Sequence, residues 1–474
     1  MEFYDRKTAL NLLSEAYLSG RLELVLILGR RRLGKTFLVR KFMEGKRDVV
    51  YTYVLPSTDL YARAKVAEDI SALGLSFVGY PSWEEILKKL FEESVKRRIV
   101  VIFDEFQRLA AVNPDVPVIL QALIDEYRDK SKLMLILVGS IVGLMEKLAN
   151  YAGPLYGRVT KRIRVRPLSY FSVREFFPNC NEETLIELYS LLGGTPWYLR
   201  LASENFSQDT VKTLRKIVLE PGSPLYQEPE TLITMELRPR EETYFSIFEA
   251  MARGKTTRKE ISDFVGLPSE AIGHHLRVLE KELGLISRIR PVGKKKVSTK
   301  LVRYEITDSF FEFWFKFVRP NMSLLEIGKI NEVEEILRRK LSEIVSKGFE
   351  KIVRQIVSAY QGSELLGVKL PIFNSVGMWW DRKGNEINIA ADFKNGILVG
   401  EVKWRKSPVD VKEANELIRK GEVFFRNKKK IYLIASKSGF TRGCKAVIED
   451  VNGILLDVKT ISQLSPSLEE DLFS

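Results

Sequence analysis

Residues 22–43 read LELVLILGRRRLGKTFLVRKFM, and this stretch decides the fold of the amino-terminal part of the chain. Its first seven residues are apolar apart from Glu23, which favours a buried strand, and its last seven favour a helix. Between them, residues 29–36 have the spacing G-x4-G-K-T of a phosphate-binding loop. Glycines let backbone N–H groups surround phosphates, and a helix that begins near Lys35 directs its dipole at them. The stretch therefore predicts a nucleoside triphosphate site.

Two side chains of this loop have specific expected tasks. Lys35 is expected to reach the β and γ phosphates, and the Thr36 hydroxyl to ligate Mg²⁺, a cation that prefers oxygen. The expected ligands are therefore ATP and Mg²⁺, and the alternative is a glycine-rich turn that binds nothing. The predicted nucleotide-contacting set from this loop is Gly29, Arg30, Arg31, Arg32, Leu33, Gly34, Lys35, Thr36 and Phe37.

Three further apolar runs, at residues 48–54, 98–105 and 132–140, alternate with polar helical stretches. Short, β-branched runs separated by helices predict buried parallel strands in an α/β sheet. Asp104 ends the second of these runs and is expected at the carboxyl edge of the sheet, where it would hold Mg²⁺. Glu105 would then orient the attacking water. The alternative for this acidic pair is capping of the next helix.

Two more polar residues are candidates for contact with the triphosphate. Ser140 ends the next strand and is expected to touch the γ-phosphate or the water, although a lone serine could equally cap the following helix. Arg158 lies in the loop GPLYGR, where a guanidinium could act as an arginine finger in cis or in trans. The alternative for Arg158 is an ordinary surface charge.

Composition restricts the class of protein. Lys and Arg total 75 against 62 Asp and Glu, which leaves a net charge of +13 and favours a polyanionic partner. The two cysteines are too few for a disulfide framework or a cysteine zinc site. No apolar run approaches the length of a membrane span, and the start MEFYDRKTAL lacks the apolar core of a signal peptide. A cytoplasmic protein without membrane contact is expected.

The pattern along the 474 residues predicts several domains. Helical periodicity follows the α/β part, then a helix-turn-helix pattern with two strands, a long helix, and a second α/β segment. The predicted boundaries are an ATPase core at 1–170, a helical lid at 171–238, a winged helix at 239–320, a helical connector at 321–360, and an α/β domain at 361–474. The start of this last domain, its first helix, is expected within the connector.

The predicted winged helix has helices at 242–252, 257–264 and 269–282 and a basic loop between its strands. We expect DNA contact by this loop, or else a structural or partner-binding role, because the fold serves all of these. The expected trihelical core is Ile261, Phe264, Val265, Leu267, Ile272, Leu276 and Leu279. The expected outer face of the third helix is Ser269, Glu270, His274, His275 and Arg277. The expected nucleic-acid contacts are Arg288, Arg290, Lys294, Lys295 and Lys296.

Six motifs follow one another along the chain: FYDR, GRRRLGKT, IFDEFQRL, LVGS, GPLYGR and RPLSYFSVREF. Taken in this order, they resemble the archaeal ATPase family of the AAA+/STAND type, a P-loop fold with a helical lid and a winged helix. The resemblance covers most of the chain. It implies that Arg6 lies near the adenine pocket and that Ser140 is a sensor position. It also implies that Pro196, in the element GGTP, lies near the base, and it strengthens the arginine-finger hypothesis for Arg158. A protein partner or a homo-oligomer is also expected.

The carboxy-terminal segment contains the strand motif E-x-K at Glu401 and Lys403, whose side chains share one face of a strand. This region resembles the restriction-endonuclease-like domain that is often fused to these ATPases. The resemblance implies a helix acid at Glu350 and an Asp at the position of Asn388. Because an amide is a poorer ligand for a divalent metal than a carboxylate, we expect a degenerate nuclease site. The predicted function of the whole chain is an ATPase that couples nucleotide state to DNA or partner engagement. The alternatives to this function are an ATP-gated metal-dependent nuclease and a nucleotide-switched transcription regulator with little turnover.

Overall fold

The computed structural model describes residues 6–237, 239–293 and 298–465. It divides into two compact units. One contains the residues up to Pro167 together with Lys281–Gly284, and the other contains Leu168–Glu280 and the residues from Leu285 onward.

The first unit is built on a parallel sheet of five strands, in the order β2-β3-β4-β1-β5. Every residue of β1, β3 and β4 is buried, which explains why these strands are apolar apart from Glu23 at the start of β1 and Asp104 at the end of β3. The prediction of a parallel α/β sheet is confirmed. The strands are β1 (Glu23–Leu28), β2 (Val49–Tyr53), β3 (Ile99–Asp104), β4 (Leu133–Gly139) and β5 (Lys161–Arg164).

Helices of the first unit cover both faces of this sheet. Successive residues of β1 alternate between two apolar clusters, with Leu24 and Leu26 in one and Val25 and Ile27 in the other. Burial on both faces fixes the register of the central strands. The helices are α1 (Lys7–Leu18), α2 (Lys35–Met43), α3 (Asp59–Ser71), α4 (Trp83–Lys96), α5 (Phe106–Val112), α6 (Val116–Tyr127) and α7 (Val142–Ala149).

The second unit begins with helices that fall in the predicted lid. The helix Glu182–Leu192 is buried on all sides along most of its length, because every residue from Thr184 to Leu192 is shielded from solvent. The helices are α8 (Tyr170–Val173), α9 (Glu182–Leu192), α10 (Pro196–Glu204), α11 (Thr210–Leu214) and α12 (Glu228–Leu237).

Three helices and an antiparallel strand pair follow, in the order that the sequence predicted. They are α13 (Glu241–Ala252), α14 (Arg258–Val265), α15 (Ser269–Arg277), β6 (Ile286–Ile289) and β7 (Arg303–Ile306). That these elements form a winged helix stays a prediction. A π-helical turn at Val278–Glu282 completes the helix predicted to end at 282.

Two residues of this region lie on the side opposite to the predicted one, Phe264 at the surface and His275 in the interior. Phe264, expected in the core, is 39% exposed, and Arg253 lies over its ring. His275, expected on the outer face, is 6% exposed and packs edge-on against Tyr244 with ring centroids 5.0 Å apart. Arg253 covers the Phe264 ring and Tyr244 packs on the His275 ring, so tertiary contacts decide the side that helical periodicity alone does not assign.

The carboxy-terminal part of the second unit contains a mixed five-stranded sheet in the order β10-β11-β12-β13-β14, in which β10, β11 and β12 are antiparallel and β12, β13 and β14 are parallel. The predicted connector contains a helix of 30 residues that packs on this sheet and on α9. The helices are α16 (Ser309–Phe313), α17 (Met322–Glu326), α18 (Ile330–Ala359), α19 (Val411–Phe424), α20 (Arg442–Asp450) and α21 (Val458–Ser462). The strands are β8 (Glu364–Leu365), β9 (Val368–Lys369), β10 (Ser375–Trp380), β11 (Glu386–Phe393), β12 (Gly396–Lys403), β13 (Lys429–Ser436) and β14 (Ile454–Asp457).

None of the helices within the described ranges combines the length and the apolar composition that a membrane span requires.

Candidate nucleotide site

The predicted phosphate loop connects β1 to α2 and depends on two glycines. Gly34 precedes the helix with φ at 85°, a conformation that side chains disfavour. At Gly29, a Cβ atom would lie 2.5 Å from the carbonyl oxygen of Val165, so a larger residue could not approach the chain that follows β5. Arg32 also adopts a left-handed conformation, with φ at 67°. The loop is therefore a tight, glycine-dependent turn that leads into a helix N-terminus.

The side chain of Lys35 forms a hydrogen bond within this loop. Its ammonium donates to the carbonyl of Arg30 at 2.8 Å, and the side chain is 7% exposed. Leu33 is buried in the apolar cluster under α2, which anchors the loop to the sheet. The other predicted contacts, Arg31 and Phe37, lie partly buried beside them. The lysine is thus held among the backbone groups that a phosphate would contact.

Asp104, at the end of β3, is hydrogen-bonded to Thr36, the last residue of the phosphate-loop motif. Its Oδ2 atom accepts hydrogen bonds from the Thr36 hydroxyl and from the Tyr51 hydroxyl, each at 2.7 Å. Its Oδ1 atom accepts the backbone N–H of Glu105 at 3.0 Å. The hydroxyl of Thr36 and the carboxylate of Asp104 are hard oxygen donors, so this pair fits Mg²⁺.

Tyr51 was not found by sequence reasoning. Burial, followed by the hydrogen bond and the charge of Asp104, raises the pKa of the Tyr51 hydroxyl, which therefore stays a donor. The available signal was the position of Tyr51 in β2, because β2 pairs in parallel with β3 and its residues run toward the same sheet edge as Asp104.

Glu105 is held in a buried network. Ser140, at the end of β4, donates from its hydroxyl to Glu105 Oε2 at 2.7 Å, and the Gln107 amide donates to the same oxygen. Burial disfavours the ionised form of Glu105, but hydrogen bonds from Ser140 and Gln107 and the charges of Lys35 and Arg31 outweigh it and lower the pKa. Ser140 thus contacts Glu105, and Gln107 is a second residue that the sequence did not indicate.

The remaining predicted residues lie apart from this network. Arg158 forms an ion pair with Asp125 of α6, with its Nε 2.9 Å from Oδ1, and it also donates to the carbonyl of Tyr156 at 2.8 Å. Arg6 precedes α1 and donates to the carbonyl of Arg166. The roles of Arg158 and Arg6 toward nucleotide stay predictions.

Pro196 is the first residue of α10 in the second unit. Its predicted contact with the base likewise stays a prediction.

Comparison with known proteins identifies the family. Residues 3–202 match the model of an ATPase domain predominantly from Archaea, and residues 314–417 match a model described as "Archaea bacterial proteins of unknown function". An uncharacterized protein of Methanocaldococcus jannaschii is 32% identical over 445 residues, which cover 92% of this chain and 95% of that protein. The chain belongs to this archaeal ATPase family.

Two further similarities agree with this assignment. An uncharacterized ATP-binding protein of Methanocaldococcus jannaschii is 40% identical to this chain over 45 residues, which cover 10% of this chain and 76% of that protein. The solved structure of the Walker-type ATPase PABY2304 of Pyrococcus abyssi matches 66% of this chain and 96% of its own, with 22% identity and a TM-score of 0.52. At that identity the match supports the P-loop fold alone.

The four residues of the predicted degenerate nuclease site do meet in the archaeal ATPase. The Asn388 amide on β11 donates to Glu350 Oε1 on α18 at 3.0 Å, and the Asn388 Oδ1 atom accepts the Val402 N–H at 3.4 Å. On β12, the Lys403 ammonium lies 2.7 Å from Glu401 Oε1. The cluster therefore contains two carboxylates, an amide and an ammonium.

Burial dominates the electrostatics of this cluster. It raises the pKa of Glu350 to about 7, although the nearby charges of Arg354 and Lys347 act in the opposite direction. The negative charge of Glu401 adds to the increase. Glu350 therefore takes up a proton near neutral pH.

The predicted nucleic-acid residues have mixed surroundings. Arg288 pairs with Glu280 at 3.0 Å and lies over the ring of Tyr304. Arg290 is exposed and lines a cavity of about 630 Å³ together with Lys351 and Arg354 of α18. Lys294, Lys295 and Lys296 lie outside the described residues.

The segment around β6 and β7 contacts the carboxy-terminal sheet. The Val292 N–H donates to the Met378 carbonyl of β10 at 2.9 Å, and Val292 joins the apolar cluster of that sheet. Arg303 pairs with Glu386 at 2.6 Å and lies over the ring of Trp380. The charge of Arg303 is therefore used within the molecule.

Proposed function

We propose that this archaeal ATPase binds ATP with Mg²⁺ at residues 29–36 and hydrolyses it with Glu105 as the general base. The observation that carries the proposal is the 2.7 Å hydrogen bond between the Thr36 hydroxyl and Asp104 Oδ2. It joins a phosphate loop to an acidic strand end, the two parts that nucleotide hydrolysis needs within one site.

The proposed chemistry is in-line attack of water on the γ-phosphorus. Lys35 exchanges the neutral carbonyl of Arg30 for negatively charged phosphate oxygens, which its ammonium binds more strongly. Glu105, ionised because its pKa is lowered, takes a proton from the water. Mg²⁺ held by Thr36 and Asp104 would offset phosphate charge. Arg158 contributes to the same charge only after it leaves Asp125.

Binding is tested first with Lys35→Ala, by calorimetric titration of ATP and Mg²⁺. Loss of one charge-assisted contact of about 1.5–3 kcal/mol lowers the affinity about 10- to 100-fold. Lys41→Ala is the matched control, because Lys41 lies on the same helix and pairs with Glu44 on the surface. Equal affinities for the Lys35 variant and the wild type would refute the loop assignment.

Turnover is tested with Glu105→Gln, which keeps the shape of the side chain. We expect ATP affinity close to that of the wild type and kcat lower by about 10²- to 10⁴-fold. The measurement is phosphate release at saturating ATP. Normal hydrolysis by this variant would contradict the assigned base.

We further propose that nucleotide state is coupled to engagement of a polyanion such as DNA. The supporting observation is the cavity lined by Arg290, Lys351 and Arg354, in which Glu305 is the acidic lining residue. The net charge of +13 points to the same class of partner. A structural or protein-binding role for this region is the competing proposal.

Labelled DNA in a salt series separates these two proposals. Phosphate contacts predict affinity that falls steeply as salt rises, and Arg290→Ala should reduce both the affinity and the salt dependence. Lys212→Ala, an exposed lysine of the lid, is the charge-matched control. Comparing ATP and ADP then shows whether nucleotide state matters. Affinity unchanged by Arg290→Ala would favour the protein-binding role.

We propose that the carboxy-terminal domain does not cut DNA. The position expected to hold an acid is Asn388, and Lys403 pairs with Glu401. Incubation with Mg²⁺ or Mn²⁺ and several forms of DNA, with Glu401→Ala as the control, tests this. Cutting that depends on Glu401 would instead establish an ATP-gated nuclease.

A further inference from the structure

Gln107, the second residue of α5, is buried beside the proposed general base. Its side-chain amide nitrogen donates to Glu105 Oε2 and to the Ser140 hydroxyl, the latter at 3.1 Å. The Ser140 hydroxyl in turn donates to the same Oε2 atom at 2.7 Å. Both amide protons of Gln107 are therefore directed into one three-membered network around the carboxylate.

The amide is retained at an energetic cost. Its carbonyl oxygen is buried and accepts no hydrogen bond from the residues that the structure describes, which is energetically unfavourable. The opposite assignment of the amide would point its carbonyl oxygen at the Glu105 carboxylate, which is repulsive, so the network fixes the orientation. An apolar residue of the same shape would avoid this cost.

The surroundings are built to accommodate this side chain. A Cβ atom at Gly139 would lie 3.0 Å from Gln107 Oε1 and 2.3 Å from Met145 Cγ. Only glycine at this strand end leaves room for both neighbours. The Gln107 side chain itself is 4% exposed, which removes competition from solvent.

Glu105 needs such support because its backbone conformation is strained. Its φ is 62°, a left-handed conformation that is unfavourable for a residue with a side chain. Both hydrogen bonds end on Oε2, and Oε1 accepts none from the described residues. The network thus immobilises one carboxylate oxygen and leaves the other for a proton.

We propose that Gln107 is a positioning residue that holds the Glu105 carboxylate in the orientation for proton transfer from the attacking water. This inference rests on the proposed function, because it requires Glu105 to be the base. Gln107 acts through Glu105, to whose carboxylate it donates.

The test is Gln107→Met, which keeps length and volume but removes both donors. We expect kcat to fall about 10- to 100-fold, while the KM for ATP and the melting temperature stay close to the wild-type values. Gln107→Leu serves if the methionine variant does not fold. Gln121→Met, on α6 of the same unit, is the matched control and should keep the wild-type kcat.

Each outcome decides one question. A wild-type kcat in the Gln107 variant would overturn the inference while leaving ATP hydrolysis by Glu105 intact. A KM that rises in step with the loss of kcat would show a merely structural role and would also overturn it. Absence of ATP turnover by the wild-type protein would overturn the proposed function, and this inference with it.

Discussion

The side-chain amide of Asn388 donates a hydrogen bond to Glu350 Oε1 at 3.0 Å and thereby joins β11 to α18. The carboxylate of Glu401 belongs to the same cluster, because its charge acts on Glu350. The cluster that the sequence predicted as a degenerate nuclease site thus has an amide at the position where an acid was expected. Within the described ranges, no group of three His, Cys, Asp or Glu residues is placed to hold a metal.

Asn388→Asp should create a divalent-cation site. Without metal, a third carboxylate beside Glu350 and Glu401 lowers the melting temperature, because like charges repel in a partly buried site. Added Mn²⁺ should restore or raise that temperature by binding only the folded state. Thermal unfolding in EDTA and in Mn²⁺ measures this. Asn415→Asp, an exposed change of equal charge on α19, is the control, and an equal response of both variants to metal would contradict the prediction.

Glu350→Gln should change how stability depends on pH. The pKa of Glu350 is 4.5 without perturbation and about 7 in the folded protein. Between these values the folded state binds more protons than the unfolded state, so wild-type stability falls as pH rises through this window. The variant should therefore be more stable than the wild type by on the order of 1–3 kcal/mol at pH 8 and similar to it near pH 4.5.

Urea unfolding at several pH values measures the difference for Glu350→Gln. Glu343→Gln is the control, because Glu343 lies on the same helix with 70% of its side chain exposed. A stability difference that does not vary with pH would show that Glu350 is not protonated in the fold.

Thr36→Val should remove the dependence of ATP binding on Mg²⁺. The valine keeps the shape of Thr36 but has no hydroxyl for the metal or for Asp104, to which Thr36 now donates at 2.7 Å. Affinity for ATP with Mg²⁺ should fall about tenfold or more, while affinity in EDTA should change little. Calorimetric titration measures both, and Thr36→Ser, which keeps the hydroxyl, should retain the effect of Mg²⁺. Tight Mg²⁺-dependent binding by the valine variant would exclude Thr36 as a ligand.

His275→Phe should make the second unit less sensitive to acid. Burial, followed by the charges of His274 and Arg240, lowers the pKa of His275 below its usual 6.5. As pH falls below about 6.5, the unfolded state therefore binds the proton first and wild-type stability decreases. The phenylalanine variant lacks this loss and keeps the packing against Tyr244. Thermal unfolding between pH 8 and pH 5 tests this, and equal slopes for both proteins would contradict it.

The sequence by itself determined the nucleotide core. The loop G-x4-G-K-T can form only where glycines permit its turns, and buried parallel strands require apolar runs on both faces, so these local rules fixed the loop, the strands and the acidic strand end. The meeting of Thr36 with Asp104 followed, because parallel strands carry their carboxyl ends to one edge.

Only the tertiary structure decided the partners of long polar side chains. It pairs Arg158 with Asp125, directs Gln107 to Ser140, and attaches the segment that contains Val292 to β10. It also places His275 inside and Phe264 at the surface. The physical reason is distance along the chain: backbone torsions and periodicity are local properties, whereas a flexible side chain takes its partner from whatever segment long-range packing brings within reach.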